Sequence, residues 1–245
     1  MKTKQLWKWE SFGGWISDIS VNSYNDFAAI GGSGTIWGYD TELKRWRPYP
    51  GNKSQGITIT IMANNDLFVC FPHHIEIFRT DKKNKDRFKG TWSKIPGCCR
   101  DVDSDGYNLL MVIGCDVYPN GNGIWRNHGG PAFNSWSRIS GEALTIAVGS
   151  RGHIVVNNKH NNIYFKENIN SKWEMTSGRA KDVSISVGGR IVVIGMDHHI
   201  YWSKKEGSRP EWVKNNGMGF RVSTWSWRNP MVVGMNHAAW RAVKN

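Results

Sequence analysis

The chain has 245 residues, a net charge of +12, and 39% hydrophobic and 12% aromatic residues, including 14 tryptophans. No run of 18 apolar residues occurs, which excludes a membrane-spanning helix. The start, Met1-Lys-Thr-Lys-Gln-Leu-Trp-Lys-Trp-Glu, has charge but no apolar stretch of the secretory type.

Taken in chain order, the elements repeat. Leu6-Trp7-Lys8-Trp9 reads as a strand, and Gly14 follows Trp9 by five residues. The same Trp/Gly step recurs at Trp46/Gly51, Trp92/Gly97, Trp136/Gly141, Trp173/Gly178 and Trp212/Gly217. Ten residues after the Trp stands a β-branched residue, Ile19, Val102, Ile146, Val183 or Val222; in the second copy it is read one place later, at Ile57. Twenty-seven residues after the Trp, four copies reach an apolar–aromatic step: Ile36-Trp37, Ile163-Tyr164, Ile200-Tyr201 and Ala239-Trp240. The other two reach it at Ile75 to Phe78 and at Ile124-Trp125. Three landmarks in register through six copies make this a repeat protein.

The copies measure 37, 46, 44, 37 and 39 residues from Trp to Trp, a period that suits propeller blades. Helical repeats would need amphipathic runs of ten or more residues. Here the apolar segments are short and broken by Gly, Asn and Asp, as in Asp182-Val-Ser-Ile-Ser-Val, Arg190-Ile-Val-Val-Ile, Ile200-Tyr-Trp and Trp212-Val. These read as strands a, b, c and d of one blade, with the repeat Trp on d and the Gly turning the chain into the next strand a. Continuously apolar b strands such as Ile154-Val-Val imply cover on both faces. The chain begins with a d-type strand and ends after a c-type strand, Ala239-Trp-Arg-Ala-Val. The expectation is an all-β, six-bladed propeller of four-stranded antiparallel blades, one domain over residues 1–245, with residues 1–10 completing the sixth blade and removing the open edges.

The unit W-x4-G-x3-[DTR]-[IV]-[SAD], an apolar strand and a final I-[YW] resembles the tectonin repeat over the whole chain. The best copies run from Trp136 to Gly141, Thr145-Ile-Ala-Val and Asn162-Ile-Tyr, and from Trp173 to Gly178, Asp182-Val-Ser-Ile-Ser-Val and His199-Ile-Tyr. The resemblance implies a six-bladed propeller lectin of innate immunity, defence or cell-surface recognition. The sequence departs from the pattern in the longer second and third copies and at Ala238-Ala239-Trp240.

Two sets of residues are candidates for binding. Six of the eight histidines fall in b–c turns: His73, His74, His160, His198, His199 and His237, beside Asn161, Asn162, Asp197 and Asn236. Turns favour Asn, Asp and Gly for conformational reasons alone, so histidine beside c-strand aromatics is the part that asks for a cause. Sugar hydroxyls hydrogen-bonded by His74, Asn162, His199 and His237, with the sugar's apolar face on Trp37, Trp125, Tyr164 or Tyr201, would supply one. Against this, many tryptophans must simply fill the wedges between blades. No metal is expected, since adjacent histidines in an extended turn point apart, and no cofactor motif is present.

The segments 38–45, 79–91, 126–135, 166–172 and 203–211 with the termini 1–5 and 241–245 hold 18 Lys+Arg against 7 Asp+Glu, a net of +11. In a propeller these c–d loops share one face. Lys82, Lys83, Lys85 and Lys89 form its densest part and are candidate anion-binding residues. The expected partners are glycans or glycoconjugates, lipopolysaccharide among them, rather than nucleic acid; the alternative is an intracellular scaffold whose basic face holds anionic membrane, nucleic acid or an acidic protein. The oligomeric state stays open.

Catalysis is not expected. Asp-boxes, nucleophile elbows and paired carboxylates are all missing from the sequence. Cys70, Cys98, Cys99 and Cys115 lack zinc spacing, so buried free thiols in a reduced, cytoplasmic chain, or one exported without a classical signal, are expected. A vicinal Cys98-Cys99 disulfide is the alternative.

Overall fold

The structure is a computed structural model and describes residues 7–51, 53–84, 86–129 and 133–243. Strands are the only regular elements among them. β1 (Lys8–Gly13) comes first. A first sheet holds β2 (Ile16–Val21), β3 (Phe27–Gly31), β4 (Ile36–Asp40) and β5 (Arg45–Pro48). A second holds β6 (Thr58–Ile61), β7 (Leu67–Phe71), β8 (His74–Thr80) and β9 (Gly90–Ile95). The third holds β10 (Cys99–Ser104), β11 (Leu110–Tyr118), β12 (Gly121–Asn127) and β13 (Trp136–Ala143).

The remaining strands are β14 (Thr145–Val148), β15 (Ile154–Asn157), β16 (Asn162–Lys166), β17 (Glu174–Ile185), β18 (Ile191–Gly195), β19 (His199–Ser203), β20 (Trp212–Ser223), β21 (Met231–Gly234) and β22 (Ala239–Val243). They form one ten-stranded antiparallel sheet with β1, because β17 and β20 run unbroken through two groups. The first half of each pairs backwards, with β16 or β19, and the second half forwards, with β18 or β21. The N-terminal strand lies against the last one, Trp9 opposite Ala242 and Glu10 opposite Arg241.

Period-2 patterning would leave one face wet, but the middle strands are apolar throughout. Phe27 to Gly31, Leu67 to Phe71 and Ile191 to Gly195 are buried at every position. Both faces are covered, as expected of sheets stacked side by side. Ala28, Ile30 and Ile36 pack on Ile59, Leu67 and Val69 of the second sheet. Ile16, Ile19 and Phe27 of the first sheet pack on Met231, Val233 and Ala239 of the last strands.

The first strand of each group, or its second half in β17 and β20, has a ladder partner on one side only, and the N–H groups on its other side need acceptors. Side chains of the preceding group supply them. Asp18 accepts from Ile59 N–H at 2.8 Å, Asp101 from Ile146 N–H at 2.8 Å and Asp182 from Val222 N–H at 2.7 Å. One step further along, Ser20 accepts from Ile61 N–H, Asp103 from Val148 N–H and Ser184 from Thr224 N–H. Ser223 accepts from Val21 N–H at 3.1 Å, which ties the last group to the first. The second copy's β-branched residue is therefore Ile59, not Ile57, which is 37% exposed.

The cysteines correct the sequence reading. All four are paired, Cys70 with Cys99 and Cys98 with Cys115, at Cα separations of 5.5 and 5.6 Å. Neither the free thiols nor the vicinal bridge is formed. Cys99 ends its strand opposite Gly114 and beside the second sheet, so Cys98 and Cys99 point to different partners. One bond joins the second sheet to the third; the other clips β11 to the residue before β10.

Candidate functional site

Each repeat Trp packs on the repeat Gly of the preceding copy. A Cβ on Gly141 (φ +111°) would meet the Trp173 Nε1 at 2.9 Å, and one on Gly178 (φ +90°) would meet the Trp212 Nε1 at 3.0 Å. Both backbones lie in the left-handed region where side chains are disfavoured, so glycine is required twice over. The indole N–H then donates to a neighbouring carbonyl: Trp46 to Phe12 O, Trp92 to Pro50 O, Trp136 to Pro96 O, Trp173 to Ser140 O and Trp212 to Ser177 O, at 2.6–2.9 Å. Trp9 sits on Gly217 and donates to the Asn216 side chain at 3.2 Å. The first Trp thus meets the last Gly.

The c-strand aromatic lies on a second glycine and spends its polar edge locally. Trp37 stands over Gly31 and donates to Thr35 at 2.6 Å; Trp125 stands over Gly114 and donates to Asp116 at 3.2 Å. Tyr201 stands over Gly195 and donates to Asp197 at 2.8 Å; Trp240 stands over Gly234 and donates to Asn236 at 3.2 Å. With the edges satisfied, only ring faces are left to offer.

These two constructions enclose a pocket in four copies. The first has Gly14, Trp46 and Trp37 on its walls; the second Gly141, Trp173 and Tyr164; the third Gly178, Trp212 and Tyr201; the fourth Gly217, Trp9 and Trp240. Their volumes, about 430, 340, 310 and 360 Å³, lie at the small end of ligand pockets and suit one or two rings of a small polar ligand. In the second copy the c-strand position is Glu76, ion-paired to Lys53 at 2.7 Å and to His74 at 3.0 Å. In the third, the Cys98–Cys115 bond spans the equivalent ground beside Trp125.

The fold is a β-propeller. No protein-family model matches the chain, and no curated protein sequence matches it. Solved structures do. A gluconolactonase of Xanthomonas campestris superposes with a TM-score of 0.68 at 9% identity, over 98% of this chain and 91% of that one. The β-propeller domain of Myceliophteria thermophila Cps50 (Swd1) gives 0.65 at 10% identity, over 97% and 100%. The WD40 β-propeller domain of Doa1 gives 0.62 at 11% identity, over 100% and 98%. At these identities the likeness is one of fold.

The expectation that the chain lacks catalysis is corrected by that first comparison, since the same propeller shape carries an enzyme. A physical reason accompanies it. Carboxylates far apart in sequence meet on the propeller's inner strands, where no motif search finds them. Asp18, Asp101 and Asp182 surround the Arg221 guanidinium, which lies 3.2 Å from Asp182 and 3.6 Å from Asp18. Burial pushes the Asp18 carboxyl up to about 7 against the pull of Arg221, and raises Asp101 and Asp182 as well.

Of the residues expected to touch sugar, Trp37, Tyr164 and Tyr201 line three of the four pockets. Trp125 has the same posture beside the disulfide. The polar candidates stand elsewhere. His74 stacks on Phe71 at 4.9 Å and contacts Glu76; His199 contacts Asp197; Asn162 pairs across to Arg179; His237 stacks on Trp15 at 4.4 Å. For two of the six turn histidines the backbone supplies a cause. His198 (φ 64°), His237 (φ 62°) and Asn161 (φ 62°) occupy left-handed turn positions, where His and Asn are both enriched. Each offers its carbonyl to the next blade: Gly219 N–H donates to His198 O, Ile16 N–H to His237 O and Ala180 N–H to Asn161 O.

Sequence reasoning missed the repeat tryptophans themselves as pocket walls, because the wall belonging to one copy's glycine comes from the next copy. On the opposite face, Lys82, Lys83 and Lys89 are exposed, and Lys85 lies outside the described residues. Arg87 of that loop turns inward, 3.4 Å from Asp26, and donates to Tyr39 O.

Proposed function

We propose that this propeller is a glycan-binding protein, a single domain of six tectonin-type blades closed by its N-terminal strand. Its Trp–Gly–aromatic pockets are the sugar sites. The observation that carries the reading is repetition: four pockets share one frame of a Gly floor, a Trp wall and a c-strand ring, and in three of them the ring's polar edge is already satisfied. An aromatic face of this kind suits the C–H side of a pyranose, and several shallow sites on a rigid ring suit a multivalent glycan surface. The sixfold count rests on the six Trp-on-Gly contacts, and closure on the pairing of β1 with β22. Cell-surface or microbial glycans are the targets that the tectonin resemblance implies, in a defensive role. Two disulfides support a place outside the reducing cytosol.

A glycan array tests the proposal directly, with the Trp37→Ala, Tyr164→Ala and Tyr201→Ala variants alongside the parent chain. Selective binding that each substitution weakens, with unchanged melting temperature, supports it; an array without sugar selectivity refutes it. A second reading is favoured by the exposed Lys82, Lys83 and Lys89, a basic patch that suits an anionic membrane, lipopolysaccharide or acidic protein on the other face. Binding through that patch would fall steeply with added salt, whereas stacking on the pocket rings would hold.

A further inference from the structure

We infer that one rim position, the residue directly after the repeat glycine, sets the charge of the sugar each pocket accepts. The four pockets then take different ligands: an acidic sugar at Arg179, an amine-bearing sugar at Glu142, and neutral sugars at Trp15 and Met218. This rests on the glycan reading above and goes beyond it. The frame is common to all four pockets, but the residue after the glycine is Trp15, Glu142, Arg179 or Met218, and each lines its own pocket. No structural demand explains such variety, since these side chains stand at the surface rather than in the core.

Across three of the pockets stands a second rim residue at the end of the b strand. It is Gly32 opposite Trp15, Met196 opposite Arg179 and Met235 opposite Met218, while in the Glu142 pocket the corresponding Lys159 lies outside the lining. The two rims are cross-strand neighbours: Gly32 N–H donates to Trp15 O at 2.7 Å, and in the third copy the same two positions are the bonded pair Cys98 and Cys115. A side chain placed here faces whatever the pocket holds.

Charge at these positions is left uncommitted. Glu142 accepts one backbone N–H, from Asn120 at 2.7 Å, and forms no ion pair among the described residues, Lys159 included. The Arg179 guanidinium has neither a hydrogen-bond nor an ion-pair partner there. The other carboxylate of the Arg179 pocket, Asp197, is already held by Lys214 at 3.0 Å and by Tyr201, which leaves the guanidinium fork for a ligand carboxylate. In the Glu142 pocket Asn120, Asn158 and Tyr164 supply polar company without a cation.

Tryptophan-fluorescence titration of the whole chain with three oligosaccharides tests this: oligogalacturonate (acidic), chitosan oligosaccharide (free amines) and its fully N-acetylated form (neutral). An overall charge of +12 repels chitosan, so its binding is a stringent signal for Glu142. Glu142→Gln is expected to weaken chitosan about fivefold and Arg179→Gln to weaken oligogalacturonate about fivefold, the size of one exposed charge pair. Neither should alter the N-acetylated form, and Glu142→Arg should exchange the chitosan preference for an oligogalacturonate one. Unchanged charged-sugar affinities while the neutral oligosaccharide still binds would overturn the inference alone. No binding of any of the three would overturn the glycan reading beneath it.

Discussion

At the scale of single residues, the most consequential group is the set of carboxyls on the inner strands. Burial pushes Asp103 up to about 7 even though Val148 N–H and Thr60 donate to it. A raised carboxyl holds its proton in the folded chain at a pH where the unfolded chain, near 3.9, has lost it. The folded state therefore binds more protons between about pH 4 and 7, and stability falls as pH rises through that window. Asp40, held low by the Leu43 N–H and Arg47, acts with the opposite sign but only below that window. Asp103→Asn keeps an acceptor for Val148 and removes the linkage. Its melting temperature is expected to vary less between pH 5 and 8 than that of the parent; parallel profiles in differential scanning calorimetry would refute the assignment. Arg221 is the counterpart. It stays charged because Asp182 and Asp18 outweigh its burial. Arg221→Ala leaves three buried carboxyls without a cation, a loss of about 3–5 kcal/mol, or about 10 °C in melting temperature. The loss should shrink at pH 5, where the carboxyls carry protons. An equal loss at both pH values would mean that packing, not charge, was removed.

At the scale of elements, the strands were readable from the sequence and their partners were not. The d strands announced themselves by Trp and the b strands by unbroken apolar runs such as Ile191-Val-Val-Ile, because these patterns follow from burial on one strand. What joins copies lies between strands, where periodicity is silent. Thus spacing pairs Trp212 with Gly217, yet the indole rests on Gly178. Cys98 and Cys99 looked like a lone pair because their partners come from β11 and β7. Spacing points to Ile57, although the N–H that reaches Asp18 of the first sheet belongs to Ile59. Nor does spacing show that His198 and His237 sit in left-handed turns whose carbonyls serve the next strand, because a backbone angle has no sequence period.

The same joints make β1 the element to test. It supplies Trp9 over Gly217, and it covers Ala242 and Val243. Trp7 is buried nearby, stacked on Trp202 at 6.4 Å. Removing residues 1–13 withdraws two indole rings, several kcal/mol at about 25 cal/mol per Å², and bares the edge of β22. The truncated chain is expected to melt more than about 10 °C lower and to aggregate on concentration. Equal thermal stability and a monodisperse profile would show that the last strands do not need the first.

At the scale of the whole molecule, the number of pockets matters more than the strength of any one. A pocket of about 340 Å³ open to water would hold a sugar weakly when single. Several on a rigid ring can raise avidity about 10²–10⁴-fold for a surface that presents many copies of the ligand. The gain depends on count, and this separates it from cooperativity. Replacing Trp37 by Ala should remove one site. Titration with a soluble monosaccharide should then show one fewer site with unchanged affinity at the rest, while retention on a glycan-coated surface falls by about tenfold or more, because each linked site multiplies the whole. Adding Tyr164→Ala and Tyr201→Ala should remove the sites for the amine-bearing and the acidic sugar in turn, and reduce retention on a surface that presents all three sugar types to that of a single pocket. The basic face gives an internal control: Lys82, Lys83 and Lys89 changed together to Gln should leave both readouts for a neutral glycan unaltered, since exposed charges contribute little to folding and none of them reaches a pocket. Surface retention that drops only in proportion to the number of pockets lost would mean that the sites act one at a time, and the ring would then be a carrier of independent pockets rather than the source of affinity.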